Sequence, residues 1–405
     1  MAGGIVSMGK KVMILAGTHF QVPVIECARS QGHFVITCDN IPDNPGHKQA
    51  DKYYNVSTTD LDGILSIARK EKIDGILAYG SDPAAPTAAY VSERLKLPGN
   101  KYNTVLTLTD KGLFRKFLLR NKFNTPEFGV CKSFEEFKEL AKGFQNPFFI
   151  KPVDSSGGKG VTRIEQHKYM EEAFRYALSY SRKGEIIIEE EIIKKGPNIH
   201  GEAFVFNGKI KFMLLGDQYF DQNEPYAPLS TLLPGTEHQD LMGKIHELLS
   251  NLLNRIGFKT GGLNIEIIRD IKDRIYFVEI GARSGGNFMP QLIRSATAFN
   301  LDAADIKGVL DEEISYEHSS PDGNFFAYVI LQSPVEGKFL NYYIPEVFNE
   351  YIIRQLVYVE SGSNISHYRS SRDAIGILLF SSVKERLRDD FIKYVVNNNI
   401  VSIYK

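Results

Sequence analysis

The 405-residue chain has almost no net charge, few cysteines and no long apolar span, and each shortage removes a class of function. Its 48 lysines and arginines nearly balance 49 aspartates and glutamates, leaving a net charge of −1, and basic stretches do not exceed pairs such as Lys194-Lys195. Binding to nucleic acid or to a membrane surface by bulk electrostatics is therefore not expected. The three cysteines, Cys27, Cys38 and Cys131, are odd in number and widely spaced. They build neither a disulfide frame nor a zinc cluster, which suits a reducing, cytoplasmic setting. The apolar run VMILA after Gly9-Lys10-Lys11 is too short for the core of a secretion signal, and nothing approaches the ~20 apolar residues of a membrane helix. Two common glycine signatures are missing as well. Gly17 is followed by THFQV instead of completing G-x-G-x-x-G, which argues against a dinucleotide fold, and G-x-x-x-x-G-K-[ST] does not occur.

What the chain does have is alternation. MAGGIVS before Met8 reads as a ragged start and is left out of the fold reading. From there, KVMILAG, HFVITCD and DGILAYG read as short buried strands. FQVPVIECARSQG, DLDGILSIARKEK and APTAAYVSERLKL read as the helices between them. This pattern predicts a parallel sheet covered by helices on both faces. After Asp110 the texture changes. DKGLFRKFLLRNKF is a basic amphipathic helix, followed by FKELAKG (helix), PFFIKPV (strand), DSSGGKG (loop) and VTRIE (strand). EEAFRYALSYSRKG is a helix leading into the strand IIIEEEII, and GEAFVFNGKIKFMLLG is a hairpin turning at Asn207-Gly208. The long helix HQDLMGKIHELLSNLLNRIG then precedes two apolar strands, and the remaining ~95 residues are mostly strand-like with two or three helices. At ~150 residues per domain the length fits two to four domains.

The two late strands carry the anomaly. GLNIEIIRD and DRIYFVEIG are joined by a tight turn, and each places a glutamate, Glu266 or Glu279, in an otherwise apolar run. If Lys272-Asp273 is the tip, the two glutamates face each other with Cβ atoms ~5 Å apart, where like charges repel. A divalent cation between them removes that cost, and carboxylate oxygens beside phosphate oxygens are what Mg²⁺ prefers. Other features are weaker alone. The loop DSSGGKGV offers Ser155, Ser156, Gly157, Gly158, Lys159 and Gly160, whose backbone can approach an anion closely, just as an ordinary Gly-Ser loop that binds nothing would. Lys151 ends an apolar strand and Lys111 opens a helix. Glu189, Glu190 and Glu191 follow three isoleucines, so at least one of these carboxylates must face the interior or a cleft.

A lysine opening a helix, a lysine ending a strand, a Gly-Ser loop, an apolar strand running into glutamate, and E…E-x-x-x-R, in this order, resemble the ATP-grasp superfamily. The likeness spans roughly 11–310 and is to the carboxylate–amine ligases and the carbamoyl-phosphate-synthase-like branch. It implies a multidomain α/β and α+β architecture. An N-terminal pre-ATP-grasp domain would cover 1–109 and the nucleotide-binding and catalytic region 110–310, with a mobile small lobe about 125–192. A mixed α+β segment would follow at 311–405. The resemblance further implies ATP and Mg²⁺ (or Mn²⁺). Lys111 and Lys151 would hold phosphates, Ser155–Gly160 would close as a flap, and Glu189, Glu190, Glu191, Ile192 and Ile193 would form the adenine hinge. Glu202 or His200 would hold ribose, Glu266 and Glu279 the metal, and Arg283 the transferred phosphate.

One position departs from the family pattern E-[IVM]-N-x-R: this chain reads E-I-G-A-R, and Gly281 has no side chain to offer a metal. Water would fill that position, or Asn264 or Asn287 would reach in. The implied reaction joins a small carboxylate to an amine through an acyl phosphate, releasing ADP and phosphate. Carboxyphosphate or carbamoyl-phosphate chemistry on bicarbonate, and an ATP-binding regulatory protein without turnover, are the alternatives. No A/V-M-K-M biotin acceptor occurs. Tyr219, Asp221 and Tyr226 lie where such ligases contact substrate, although ordinary loop packing explains them equally. A homodimer is the candidate assembly.

Overall fold

The structure, a computed structural model, describes residues 9–221, 226–321, 323–396 and 400–404. The first apolar runs form a four-stranded parallel sheet in the order Lys52–Asn55, Phe34–Asp39, Lys11–Leu15, Gly75–Ala78. Alternate side chains of these strands feed two separate cores. Met13, Leu15 and Ile36 pack with residues of the helices Leu61–Glu71 and Ala85–Leu95. Val12, Ile14 and Val35 pack with the helix Val22–Ser30 and with Ile306 from much later in the chain. Burial on both faces is why these strands read as unbroken apolar runs.

The small lobe is an antiparallel sheet in the order Phe128–Cys131, Ile186–Glu190, Phe148–Pro152, Thr162–Ile164. The helices Phe134–Ala141 and Met170–Ser179 close one face of it around Phe137, Phe148 and Phe174. The four-residue strands Lys52–Asn55 and Phe128–Cys131, both at sheet edges, and the helix Tyr102–Thr109 were not foreseen. KYYN and FGVC are too short to show a period.

The large sheet has eight strands, in the order Ile275–Gly281, Gly261–Arg269, Asn198–Phe206, Lys209–Phe220, Pro228–Leu233, Asn324–Leu331, Gly376–Lys384, Ile352–Val357. Leu232 pairs with Ala327, and a single hydrophobic cluster runs from Phe204 to Ile400. The segment after 311 therefore shares a sheet and a core with the residues before it. Among the described residues the cysteines are all free, and no helix is long and apolar enough to cross a membrane.

Glu266 and Glu279 do pair across neighbouring strands, but by a different route from the one expected. The turn is a three-residue loop with Asp273 left-handed at φ 59°, and Asp270 accepts hydrogen bonds from the backbone of Lys272 and Arg274. That loop pairs Arg269 with Ile275 and Ile267 with Phe277, one residue out of the expected register. A bulge at Val278 inserts one residue and restores it.

Candidate active site

Glu266, Glu279, Asn264, His200 and Glu202 rise from one face of the large sheet, as their cross-strand pairing requires. Glu279 lies 3.3 Å from Lys111 Nζ at the start of the helix Lys111–Arg120. Glu266 makes no hydrogen bond or ion pair with any described residue. Burial and then the charge of Glu279 push its carboxyl up to about 7. Burial opposes the charge on Lys111, but Glu279 and Asp82 raise its pKa above the usual lysine value. No group of three or more His, Cys, Asp or Glu that could hold an ion occurs among the described residues. Two facing carboxylates, one of them unpartnered, fit an ion that takes its other oxygens from elsewhere, as Mg²⁺ does when it shares phosphate oxygens.

Arg283 lies at this face, its Nη2 2.5 Å from Asp82 Oδ2. Asp82 lies on the turn Asp82–Ala84, just beyond the carboxyl end of strand Gly75–Ala78 of the parallel sheet. Nothing in the sequence separated it from other loop aspartates.

The hinge is organised by another residue that was not foreseen. Arg115, on the helix opened by Lys111, is almost fully buried, with its Nε 2.9 Å from Glu189 Oε1 in an ion pair without hydrogen-bond alignment. Its Nη2 donates to the carbonyl of the bulged Val278 at 2.9 Å. Lys151 Nζ takes the other oxygen of Glu189 at 2.7 Å. Burial alone would raise the Glu189 pKa, but Arg115 and Lys151 hold it down at about 2. Glu189 is thus held between Arg115 and Lys151, both of its oxygens engaged. Glu190 accepts from the Glu127 backbone N–H, and Glu191 is gripped by Arg163 at 2.8 and 2.9 Å. Beside them lies a cavity of about 350 Å³ walled by Phe149, Ile192, Ile193 and Ile268, with Lys151, Lys194 and Asn198 at its edge. An apolar slot with a few polar groups is what an adenine ring needs.

The residues expected at the ribose lie in a buried network. Glu202 is fully buried, with its oxygens accepting from Asn264 Nδ2 at 2.8 Å and from the Gly285 N–H at 3.0 Å. Burial lifts its pKa to about 8. A Cβ on Gly285 would stand 2.1 Å from Glu202 Oε1, so the loop needs glycine here. Asn264 Nδ2 also donates to His200 Nε2, which leaves the proton on Nδ1 to reach Thr231 Oγ1 at 2.8 Å. Burial lowers the His200 pKa to about 4. The network is closed on itself, and Asn198, two residues earlier on the same face, is the residue that lines the cavity. Neither proposed substitute for the missing asparagine side chain is free either. Asn264 is held by Glu202 and His200, and Asn287 is directed at Tyr328.

In the loop after Lys151, Gly157, Gly158 and Gly160 all adopt φ between 66° and 75°, which only glycine takes readily. Lys111 Nζ donates to the Ser155 carbonyl at 2.6 Å, and Ser371 N–H to the Gly157 carbonyl at 3.0 Å. Burial lowers the Lys159 pKa, while Ser156 is half-buried. Tyr219 packs against the large core, Asp221 is buried, and the four residues before Tyr226 lie outside the described ones.

Comparison with known proteins agrees with this geometry. Residues 116–285 match the ATP-grasp domain family. The chain is 25% identical over 317 residues to the formate-dependent phosphoribosylglycinamide formyltransferase of Sulfolobus acidocaldarius, covering 74% of this chain and 79% of that protein. It is 30% identical over 186 residues to the protein of the same name from Burkholderia pseudomallei, where the match spans 44% of this chain and just under half of the relative. An L-amino acid ligase from Bacillus licheniformis superposes with a TM-score of 0.81 at 19% identity, over 98% of this chain and 100% of that one. Residues 116–285 are thus similar to the ATP-grasp domain family, and the whole-chain superposition shows that the fold around them is shared with an L-amino acid ligase.

Proposed function

We propose that this protein is an ATP-dependent ligase that activates a small carboxylate as an acyl phosphate and joins it to an amine, releasing ADP and phosphate. The observation that carries the reading is the Glu266–Glu279 pair, one member unpartnered, set beside Lys111 and Arg283 at the junction of the lobes. The cavity at Ile192 and Ile193 takes adenine, with Asn198 and Lys194 beside the ribose. Lys111, Lys151 and the backbone N–H groups of the loop 155–160 face the phosphates. A divalent cation held by Glu266 and Glu279 neutralises phosphate charge when bound.

The substrate carboxylate oxygen attacks the γ-phosphorus, and the bond to the β-phosphate oxygen breaks with its electron pair leaving on ADP. Arg283 and the lysines stabilise the negative charge as it spreads over the transferred group. The flap must then exclude water, because an acyl phosphate hydrolyses readily. The amine attacks the acyl carbon, phosphate departs, and an amide remains. The relatives are named for formate and for an amino acid, both carboxylates, which favours a small carboxylate here as well. The three free cysteines support a cytoplasmic location, and a homodimer is the assembly that sedimentation should check.

The test is a product screen. ATP and Mg²⁺ are supplied with paired carboxylates and amines, and mass spectrometry looks for the condensed product while ³¹P NMR follows the nucleotide. ADP, phosphate and an amide are expected. Nucleotide binding without turnover across the panel would favour the regulatory reading.

A further inference from the structure

Arg283 is held by the residue that follows it. The Ser284 carbonyl accepts from the Gly80 N–H at 3.0 Å and from Arg283 Nη1 at 3.3 Å. Gly80 stands two residues before Asp82, so one carbonyl fixes both the guanidinium and the turn that carries its partner. Ser284 is fully buried, and its hydroxyl donates to Asp305 Oδ2 at 2.5 Å. Asp305 lies on the helix Leu301–Val309, and its other oxygen accepts from the Gly262 N–H at 2.9 Å. One buried carboxylate thus ties the start of the strand that bears Glu266 to the loop after the strand that bears Glu279. The approach is close: a Cβ on Gly262 would stand 2.1 Å from Ser284 Oγ and 3.1 Å from Asp305 Oδ1. Gly285 is gripped in turn by Glu202, so the two residues after Arg283 are each held by a buried carboxylate. Burial pushes the Asp305 carboxyl up to about 7 in spite of both its hydrogen bonds. An apolar side chain at 305 would carry no such cost, but it could not hold the loop.

We propose that Asp305 is a positioning residue for Arg283, acting through Ser284: by fixing the hydroxyl it fixes the carbonyl that holds the guanidinium and the Gly80–Asp82 turn. This rests on the role given to Arg283 in the ligase reading. A charged group displaced by about 1 Å from the atoms it serves can cost roughly 10²-fold in rate, which is the scale of effect a positioning residue controls.

Two measurements test this, one of them without turnover. In ¹⁵N-arginine-labelled protein, the Nε–H signal of Arg283, identified by its loss in Arg283→Lys, reports on a buried group. Asp305→Ala should speed its hydrogen exchange by at least about tenfold. With the substrates found by the product screen, the same variant should lower kcat by about 10–10²-fold while KM for ATP changes by less than about threefold. Ser284→Ala should lose a similar factor. The double variant should be no worse than the poorer single one, since both substitutions break one contact. If circular dichroism shows Asp305→Ala unfolded, Ser284→Ala, which loses one hydroxyl, carries both measurements. Wild-type exchange or wild-type kcat in a folded variant would overturn the assignment. Losses that multiply in the double variant, or that fall equally on kcat and KM, would do the same. A wild-type protein without turnover, whose Arg283 signal still exchanges faster in the variant, would overturn the ligase reading and leave the hold of Asp305 on Arg283 in place.

Discussion

Glu202 and Glu266 rise from neighbouring strands on one face of the large sheet, and burial raises the pKa of both, to about 8 and about 7. Their surroundings differ. Glu202 has both oxygens hydrogen-bonded, within a chain that runs from Gly285 through Asn264 and His200 to Thr231. Glu266 faces a second carboxylate and has no partner among the described residues. A buried polar group that is fully satisfied fixes the fold, whereas one left unsatisfied at a junction between lobes is arranged for something that arrives later. A raised pKa alone does not separate the two cases; the hydrogen-bond partners do.

The comparison can be broken most sharply by exchanging single atoms. Glu266→Gln or Glu279→Gln should lower turnover by about 10²–10³-fold or more with the fold intact, because each removes charge from the pair proposed to hold the cation. Full activity in either variant, measured as ADP release, would reduce Glu266 to the same structural class as Glu202. Removing Arg283 comes next. Arg283→Ala should lower kcat by roughly 10²-fold while ATP affinity changes little, since its charge is matched to the transition state. Equal losses in affinity and kcat would place Arg283 in ground-state binding.

Stability should divide the two glutamates in opposite directions. Glu202→Ala leaves the Gly285 N–H and the Asn264 amide without their acceptor, and should cost about 1–3 kcal/mol. Glu266 has a folded pKa of about 7, raised from 4.5, so metal-free folded protein binds this proton more tightly than the unfolded chain does. The stability from that group is fully present below about pH 4.5 and is lost as pH rises through 7. Glu266→Gln should therefore melt higher than wild type at pH 8 in EDTA, with the gap closing toward pH 5. A gap that is constant with pH would remove the protonation argument.

How much of this was legible in the sequence depended on range. The order of helix-opening lysine, glycine loop and carboxylate-bearing strands was readable because each motif is local. The facing glutamates were read correctly although the turn was not, because the bulge at Val278 cancels the longer loop. Arg115 and Asp82 were invisible, since their roles exist only when distant segments meet. Arg115 looks like one more cation of a basic helix until Glu189 and the bulge carbonyl close on it. His200 and Glu202 show the converse. Polar residues near a nucleotide strand suggest ligand contact, and only the fold reveals that their partners are internal.

The smallest effect expected is in the flap. Amide hydrogen exchange over 155–160 should slow when a non-hydrolysable ATP analogue and Mg²⁺ are added, because Lys111 and Ser371 bind loop carbonyls and a phosphate would engage its N–H groups. Unchanged exchange at saturation would leave the loop as an ordinary connection.

Once the screen has found a carboxylate substrate, its ¹⁸O-labelled form decides the chemistry. The attacking oxygen forms a bond to phosphorus and leaves with it, so one label should appear in the phosphate released with ADP. Unlabelled phosphate beside labelled amide, or AMP and pyrophosphate in place of ADP and phosphate, would contradict acyl-phosphate activation at the Glu266–Glu279 site.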